Sequence, residues 1–209
     1  MLIGQYDSPF VRRVGIALTL YDMAFEHKPW STFGDWQQIA PYNPLTRVPT
    51  LVLDNGEVLI VSHAMLDYLD DLVGAERAMF PARGAERHRA IKVAALATGA
   101  ADKAVSMFYE KRLHLEAGPS PMWIERCQRQ INGALAELES LRSARSGDFM
   151  SGKRLGHADI AIACAIRFIG EAHPGLVGMT NYPELTGLCA RLEGLPAFQA
   201  VFQPFIPPA

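Results

Sequence analysis

The chain predicts a small α/β unit followed by an all-helical unit, and two observations carry that prediction. Over roughly the first 75 residues the hydrophobic period changes repeatedly, with short β-like runs set between helical or turn-like stretches. From about Arg77 the composition shifts into long alanine- and leucine-rich stretches without strand signals, interrupted by Gly and Pro clusters.

In chain order, Leu2 to Tyr6 reads as the first strand. Ser8-Pro9 opens a helix that runs to about Tyr21, because serine can cap free amides and proline wastes no amide at the first helical position. Phe25 to Pro29 resembles a second strand, and Pro41-Tyr42-Asn43-Pro44 marks an extended loop before the third. Asp54-Asn55-Gly56, between the apolar runs Thr50 to Leu53 and Val58 to Ile60, is a tight hairpin signal and predicts an antiparallel pair. Ser62 then caps a helix carrying Met65, Leu66, Leu69 and Leu72 at helical spacing and ending at Gly74. The order is β-α-β-α-β-β-α over residues 1–75, with a linker at 76–86 and an all-α domain at 87–209. Helical segments are expected at about 84–116, 120–144, 156–172, 182–193 and 196–203, with an extended tail from Pro204 to Pro208.

Composition narrows the function classes. The 209 residues are 49% hydrophobic and 20% charged, within the globular range. Twenty basic residues against 22 acidic ones give a net charge of −2, which favours neither nucleic acid nor an anionic membrane. Cys127, Cys164 and Cys189 are an odd, widely spaced set with no CxxC pair, so they read as reduced buried thiols rather than a disulfide framework or a metal site. The amino terminus shows no signal-like stretch and no apolar run reaches membrane-spanning length, so the expected location is cytoplasmic, without a membrane anchor.

Three segments carry a family resemblance: Tyr6 to Val14 (YDSPFVRRV), Asn43 to Leu51 (NPLTRVPTL) and Ser62 to Leu69 (SHAMLDYL), with His157 to Ala161 (HADIA) as a fourth. In this order and spacing the chain resembles the cytosolic glutathione transferases, bacterial serine-type members among them. The resemblance implies a thioredoxin-like first domain with a mixed four-stranded sheet, and a helical second domain of the same family. It also implies an enzyme using glutathione as co-substrate, without a metal, as a homodimer.

A glutathione enzyme must stabilise a thiolate, because an ordinary cysteine thiol with a pKa of about 8.5 is only a few per cent ionised at neutral pH. A hydroxyl at the start of a helix does this through its hydrogen and the positive dipole end, and Ser8 meets that description. The resemblance assigns Ser8 the same thiol-activating role; a cap with no catalytic part is the alternative. Tyr6, two residues earlier, is the rival activator, or else core or pocket wall. Val48-Pro49 is similar to the family's cis-proline turn, which exposes the preceding backbone to the ligand's cysteinyl unit; a trans proline starting an edge strand is the alternative. Arg47 would reach the glycine carboxylate or stay solvated. Ser62 and His63, at the start of a helix, would dock the γ-glutamyl carboxylate. Many members place an acidic residue just before that serine; here it is Val61, so either Asp102 of a partner subunit compensates or the affinity for glutathione is reduced. In the fourth segment Gly156 stands where members have a serine or threonine cap, and Asp159 reads as structural.

Phe10, Phe33 and Tyr109, with Trp36, Met107 and Phe108, are candidate walls of a pocket for a small hydrophobic electrophile. The leading function is thiol transfer to such an electrophile. A glutathione-dependent isomerase or dehalogenase, and a non-catalytic binding or regulatory protein, are the alternatives.

Overall fold

The computed structural model describes residues 1–114, 116 and 118–207; the Pro208 end of the expected tail and the last residue of the expected second domain lie outside it. A four-stranded sheet of order β2-β1-β3-β4 is built from β1 (Leu2–Ile3), β2 (His27–Lys28), β3 (Thr50–Val52) and β4 (Val58–Ile60). β1 pairs parallel to β2 and antiparallel to β3, and β3 pairs antiparallel to β4, so the sheet is mixed. Between the last two strands Gly56, at φ 83°, turns the chain while the Asn55 side chain accepts from Glu57 N at 2.9 Å, as Asn-Gly chemistry predicts.

The first strand is shorter than the expected run to Tyr6, and Gly4 is the reason. Its φ of 127° turns the chain out of the sheet, and a Cβ there would lie 2.5 Å from Val11 Cγ2 and 2.8 Å from Val48 Cβ. Gly4 is therefore where β1, the first helix and the Val48 loop approach one another. Gly4→Ala is expected to destabilise the chain by about 3 kcal/mol, from backbone strain plus overpacking. Chemical denaturation checks this, and an unchanged midpoint would refute it.

Helices α1 (Pro9–Leu20), α2 (Trp36–Ile39) and α3 (Ser62–Val73) accompany the sheet. The second half is α4 (Gly84–Leu113), α5 (Pro121–Ser143), α6 (His157–Ala172), a 3-10 turn at Met179–Asn181, α7 (Pro183–Glu193) and α8 (Pro196–Ala200). The expected helix to 116 ends at Leu113, and the one expected to 203 ends at Ala200. Ser8 and Ser120 cap α1 and α5 by accepting from Val11 N and Trp123 N. Ser62 does not cap α3, contrary to expectation: Val61 holds the cap position and Ser62 is the first helical residue.

The helical core centres on α6, whose residues from His157 to Ala165 are all buried. Against it α4 presents a stripe of Ala90, Ala94, Ala97, Ala101 and Ala104, small side chains that let two helix backbones come close. A second cluster, including Leu2, Val11, Val14, Leu51, Met65 and Leu66, lies under the sheet. α1 joins the two, burying Val11 and Val14 in one and Ile16 in the other.

Asp70 near the end of α3 fastens the halves together. Its carboxylate accepts from the Tyr21 hydroxyl, from Phe80 N at 2.9 Å and Met79 N at 3.1 Å in the linker, and pairs with His157 Nε2 at 2.8 Å. The tail is strapped down too: Phe205 N donates to Glu171 Oε2 at 2.8 Å, and Ile206 N to Asp7 Oδ2 at 3.2 Å. No helix among the described residues is long and apolar enough to cross a membrane.

Candidate active site

Two clefts meet between the sheet unit and α4. The first, about 110 Å³, is walled by Ser8, Phe10, Phe33, Phe108, Tyr109 and Phe205 among others. The second runs past Arg13, Pro49, Val61, Ser62, His63 and Asp102. Phe10, Arg47 and Val48 line both, so the two form one trough. Of the residues named from sequence, Ser8, Phe10, Phe33, Arg47, Val48, Pro49, Ser62, His63 and Tyr109 stand along it.

Ser8 sits at the amino end of α1 in extended conformation, its Oγ accepting from Val11 N at a long 3.4 Å. Because the hydroxyl serves there as acceptor, its hydrogen is free to point into the trough. Tyr6 faces elsewhere: its ring stacks on His27 at 3.9 Å and lies over Gly15, where a Cβ would come within 2.8 Å of it. That placement makes Tyr6 a packing residue, walling neither cleft. Trp36 and Met107 are not walls either; Trp36 is 48% exposed and Met107 is in the helical core.

The Val48–Pro49 bond is cis. Among the described residues nothing pairs with the amide or carbonyl of Val48, which leaves both to an added strand. The loop is held by buried Asn43, whose Nδ2 donates to Arg47 O at 2.9 Å and Thr50 Oγ1 at 3.0 Å. In the sequence Asn43 marks a loop; its part in fixing Arg47 and Val48 depends on the fold.

At the far end Val61 has φ 69° and is 61% exposed. A β-branched residue in that conformation is strained, and with Ser62 and His63 it lines the trough at the amino end of α3. The Ser62 Oγ accepts from Arg13 Nη1 at 3.4 Å. Burial, then the nearby Arg13 charge, hold the His63 imidazole below its ordinary pKa. Asp102, one of the two alternatives for the missing acid if a partner subunit supplies it, lines the trough from this chain's own α4.

Sequence reading missed two features here. Arg13 is buried beneath the trough, and its one signal was a second arginine inside an apolar helix. The Tyr21–Asp70–His157 cluster had no local signal, since its members are far apart in sequence. Asp159 is structural: it accepts from Met150 N at 2.7 Å and Gly156 N at 2.9 Å. Burial pushes the Cys164 thiol up to about 11 and Cys189 to about 12, so neither is a nucleophile at neutral pH.

Residues 2–77 match the glutathione S-transferase N-terminal domain family and residues 121–203 the glutathione S-transferase C-terminal domain family. A probable maleylacetoacetate isomerase of Vibrio cholerae is 28% identical over 95% of this chain and 93% of its own length. The crystal structure of a glutathione S-transferase from Methylobacterium radiotolerans, complexed with glutathione sulfonate, superposes with a TM-score of 0.88 at 29% identity, covering 100% of this chain and 98% of that one. A glutathione transferase family member from Pseudomonas fluorescens, with bound S-(propanoic acid)-glutathione, gives 0.78 at 30% identity over 98% and 99%.

Proposed function

The chain belongs to the glutathione S-transferase family, and from that premise we propose that it is a glutathione transferase acting on small hydrophobic electrophiles. The observation that carries this is the single trough joining the Ser8 hydroxyl to the open Val48 backbone and the amino end of α3. In this proposal residues 1–75 are the glutathione-binding domain and 87–209 the helical domain, while the linker expected at 76–86 is cut short at Arg83, because α4 begins at Gly84.

Ser62, with the first amides of α3, receives the γ-glutamyl carboxylate, and His63 adds a ring at the same end. The Val48 backbone pairs with the cysteinyl unit, and Arg47 stands at the glycine end. Ser8 donates its hydroxyl hydrogen to the sulfur, lowering the thiol pKa, while Phe10, Phe33 and Tyr109 shield the electrophile from water. Catalysis is then mostly thiolate stabilisation and approximation. A homodimer belongs to the same proposal.

The Vibrio relative favours a second reading, glutathione-dependent isomerisation, in which the thiol is regenerated. The wall of the first cleft speaks for the transferase: Phe10, Phe33, Phe108, Tyr109 and Phe205 make it largely aromatic, which suits a hydrophobic electrophile.

Calorimetric titration with glutathione, followed by mass spectrometry after incubation with 1-chloro-2,4-dinitrobenzene, tests the proposal. Binding at millimolar concentration or tighter, with a thioether product, is expected. Absence of binding at that concentration would leave a non-catalytic binding protein. Val61→Glu, which restores a carboxylate beside Ser62, is expected to tighten glutathione binding about threefold to tenfold, read in the same calorimeter. Unchanged or weaker binding would show that this position does not face the ligand's ammonium.

A further inference from the structure

Among the described residues two charged side chains line the first cleft, Asp7 and Arg47, and glutathione treats them differently. Arg47 also lines the second cleft, at the glycine end, where the peptide's own carboxylate answers its charge. Asp7 has no such answer. No lysine, arginine or histidine of the described residues pairs with it. Its Oδ2 accepts from Ile206 N at 3.2 Å, which fixes the carboxylate against a tail residue that lines the same cleft. Burial penalises its ionised form and the Glu171 charge adds to that penalty, against hydrogen bonds from nearby backbone amides. Around it stand the rings of Phe10, Phe33, Phe108, Tyr109 and Phe205. Two edge-to-face pairs, Phe33 on Tyr109 and Phe108 on Phe205, each at 5.2 Å, hold four of these rings in place. A carboxylate set among aromatic rings suits an organic cation, because the charge and the ring faces both attract it while the rings exclude water.

We propose that the first cleft selects hydrophobic electrophiles that carry a positive charge, an ammonium or pyridinium group on an apolar body, and that Asp7 is the residue that reads the charge. This deepens the transferase reading given above and rests on it. With glutathione in place the glycine carboxylate neutralises Arg47, and the thiolate at Ser8 adds a second negative charge to that of Asp7. A cationic arm then lies between two anions, whereas an anionic one meets like charge at both. In the reaction the glutathione sulfur forms the C–S bond as the leaving group departs with its electron pair, and the thiol proton passes to solvent. Asp7 takes no part in those bond changes; it binds and orients the charged arm.

The test titrates the full chain, in a calorimeter, with glutathione and with three S-benzylglutathiones bearing trimethylammoniomethyl, methyl or carboxylate at the para position. The wild-type chain is expected to bind the cationic conjugate about tenfold more tightly than the neutral one, and the anionic conjugate about tenfold more weakly. Asp7→Asn keeps an oxygen for Ile206 N but loses the charge, so the cation-to-anion ratio of about 100 should shrink below about five, while Asp7→Glu should keep most of it. Turnover of the three matching benzyl chlorides, each corrected for its uncatalysed rate with glutathione, should follow the same order in kcat/KM. A role confined to holding the tail would move all three conjugates alike and leave the ratio intact in Asp7→Asn, and that result overturns the inference. So does a wild-type chain that binds the three equally or favours the anion, a result that needs no variant to fold and leaves the glutathione reading standing. A wild-type chain that binds neither glutathione nor any conjugate overturns the glutathione reading itself.

Discussion

Ser8→Ala is expected to lower turnover about 100- to 1,000-fold while glutathione affinity changes less than about threefold. The magnitude is that of removing one preorganised donor from a developing or resident anion. The affinity barely moves because the Val48 backbone, Ser62 and Arg47 lie elsewhere along the trough. The ultraviolet absorbance of the bound thiolate, followed against pH, should show the thiol titrating nearer its ordinary value of about 8.5 in the variant than in the wild type. The same substitution removes the acceptor for Val11 N, so a loss of about 1 kcal/mol in stability accompanies it. Ser8→Gly separates the two effects, because glycine caps nearly as well but has no hydroxyl. Full turnover in Ser8→Gly would return the thiol-activating role to another donor.

The second large effect concerns stability. Asp70→Asn is expected to cost about 3–5 kcal/mol, lowering the melting temperature by about 10 °C. The carboxylate takes hydrogen bonds from Tyr21, His157, Met79 N and Phe80 N, and an amide would turn an NH2 group toward donors. A shift under about 2 °C would mean that the halves are held by apolar packing alone.

A pH dependence follows from the same cluster. Burial raises the Asp70 carboxyl, but the His157 and Tyr21 hydrogen bonds and the His157 charge outweigh it and hold the pKa below the usual range. Burial holds His157 below its ordinary value although Asp70 pulls it up, and burial does the same to His63 and His173. A histidine with a lower pKa in the folded chain binds fewer protons there than in the unfolded one, so stability rises with pH. That contribution is complete above about pH 6.5 and is lost as pH falls through that value toward the depressed one. Asp159 acts oppositely, since burial raises its carboxyl to about 6 and its protonation on acidification favours the fold. Asp7, whose carboxyl burial also raises, acts in the same direction as Asp159, so three imidazoles stand against two carboxyls; the melting temperature is expected to fall from pH 7.5 to 5.5, and the Asp70 contribution is lost only at more acidic pH. Calorimetry across that range checks it; a flat or rising profile would be the contrary result.

The sequence by itself determined the mixed sheet, the helical second half and the ordering of the binding segments, because each has a short-range cause. Asn55-Gly56 needs a tight turn, Ser8-Pro9 starts a helix, and the alanine stripe of α4 follows helical spacing. Those preferences act within a few residues of the chain and so can be read from it. Only the tertiary structure decided that Val61 rather than Ser62 caps α3, that Tyr6 packs over Gly15, and that Asp70, Tyr21 and His157 share one buried cluster. It also separated Arg12 from Arg13, identical and adjacent in sequence, by giving a carboxylate to one and the floor of the trough to the other. The energies of buried charges and hydrogen bonds depend on which distant groups are brought near, and no local pattern encodes that.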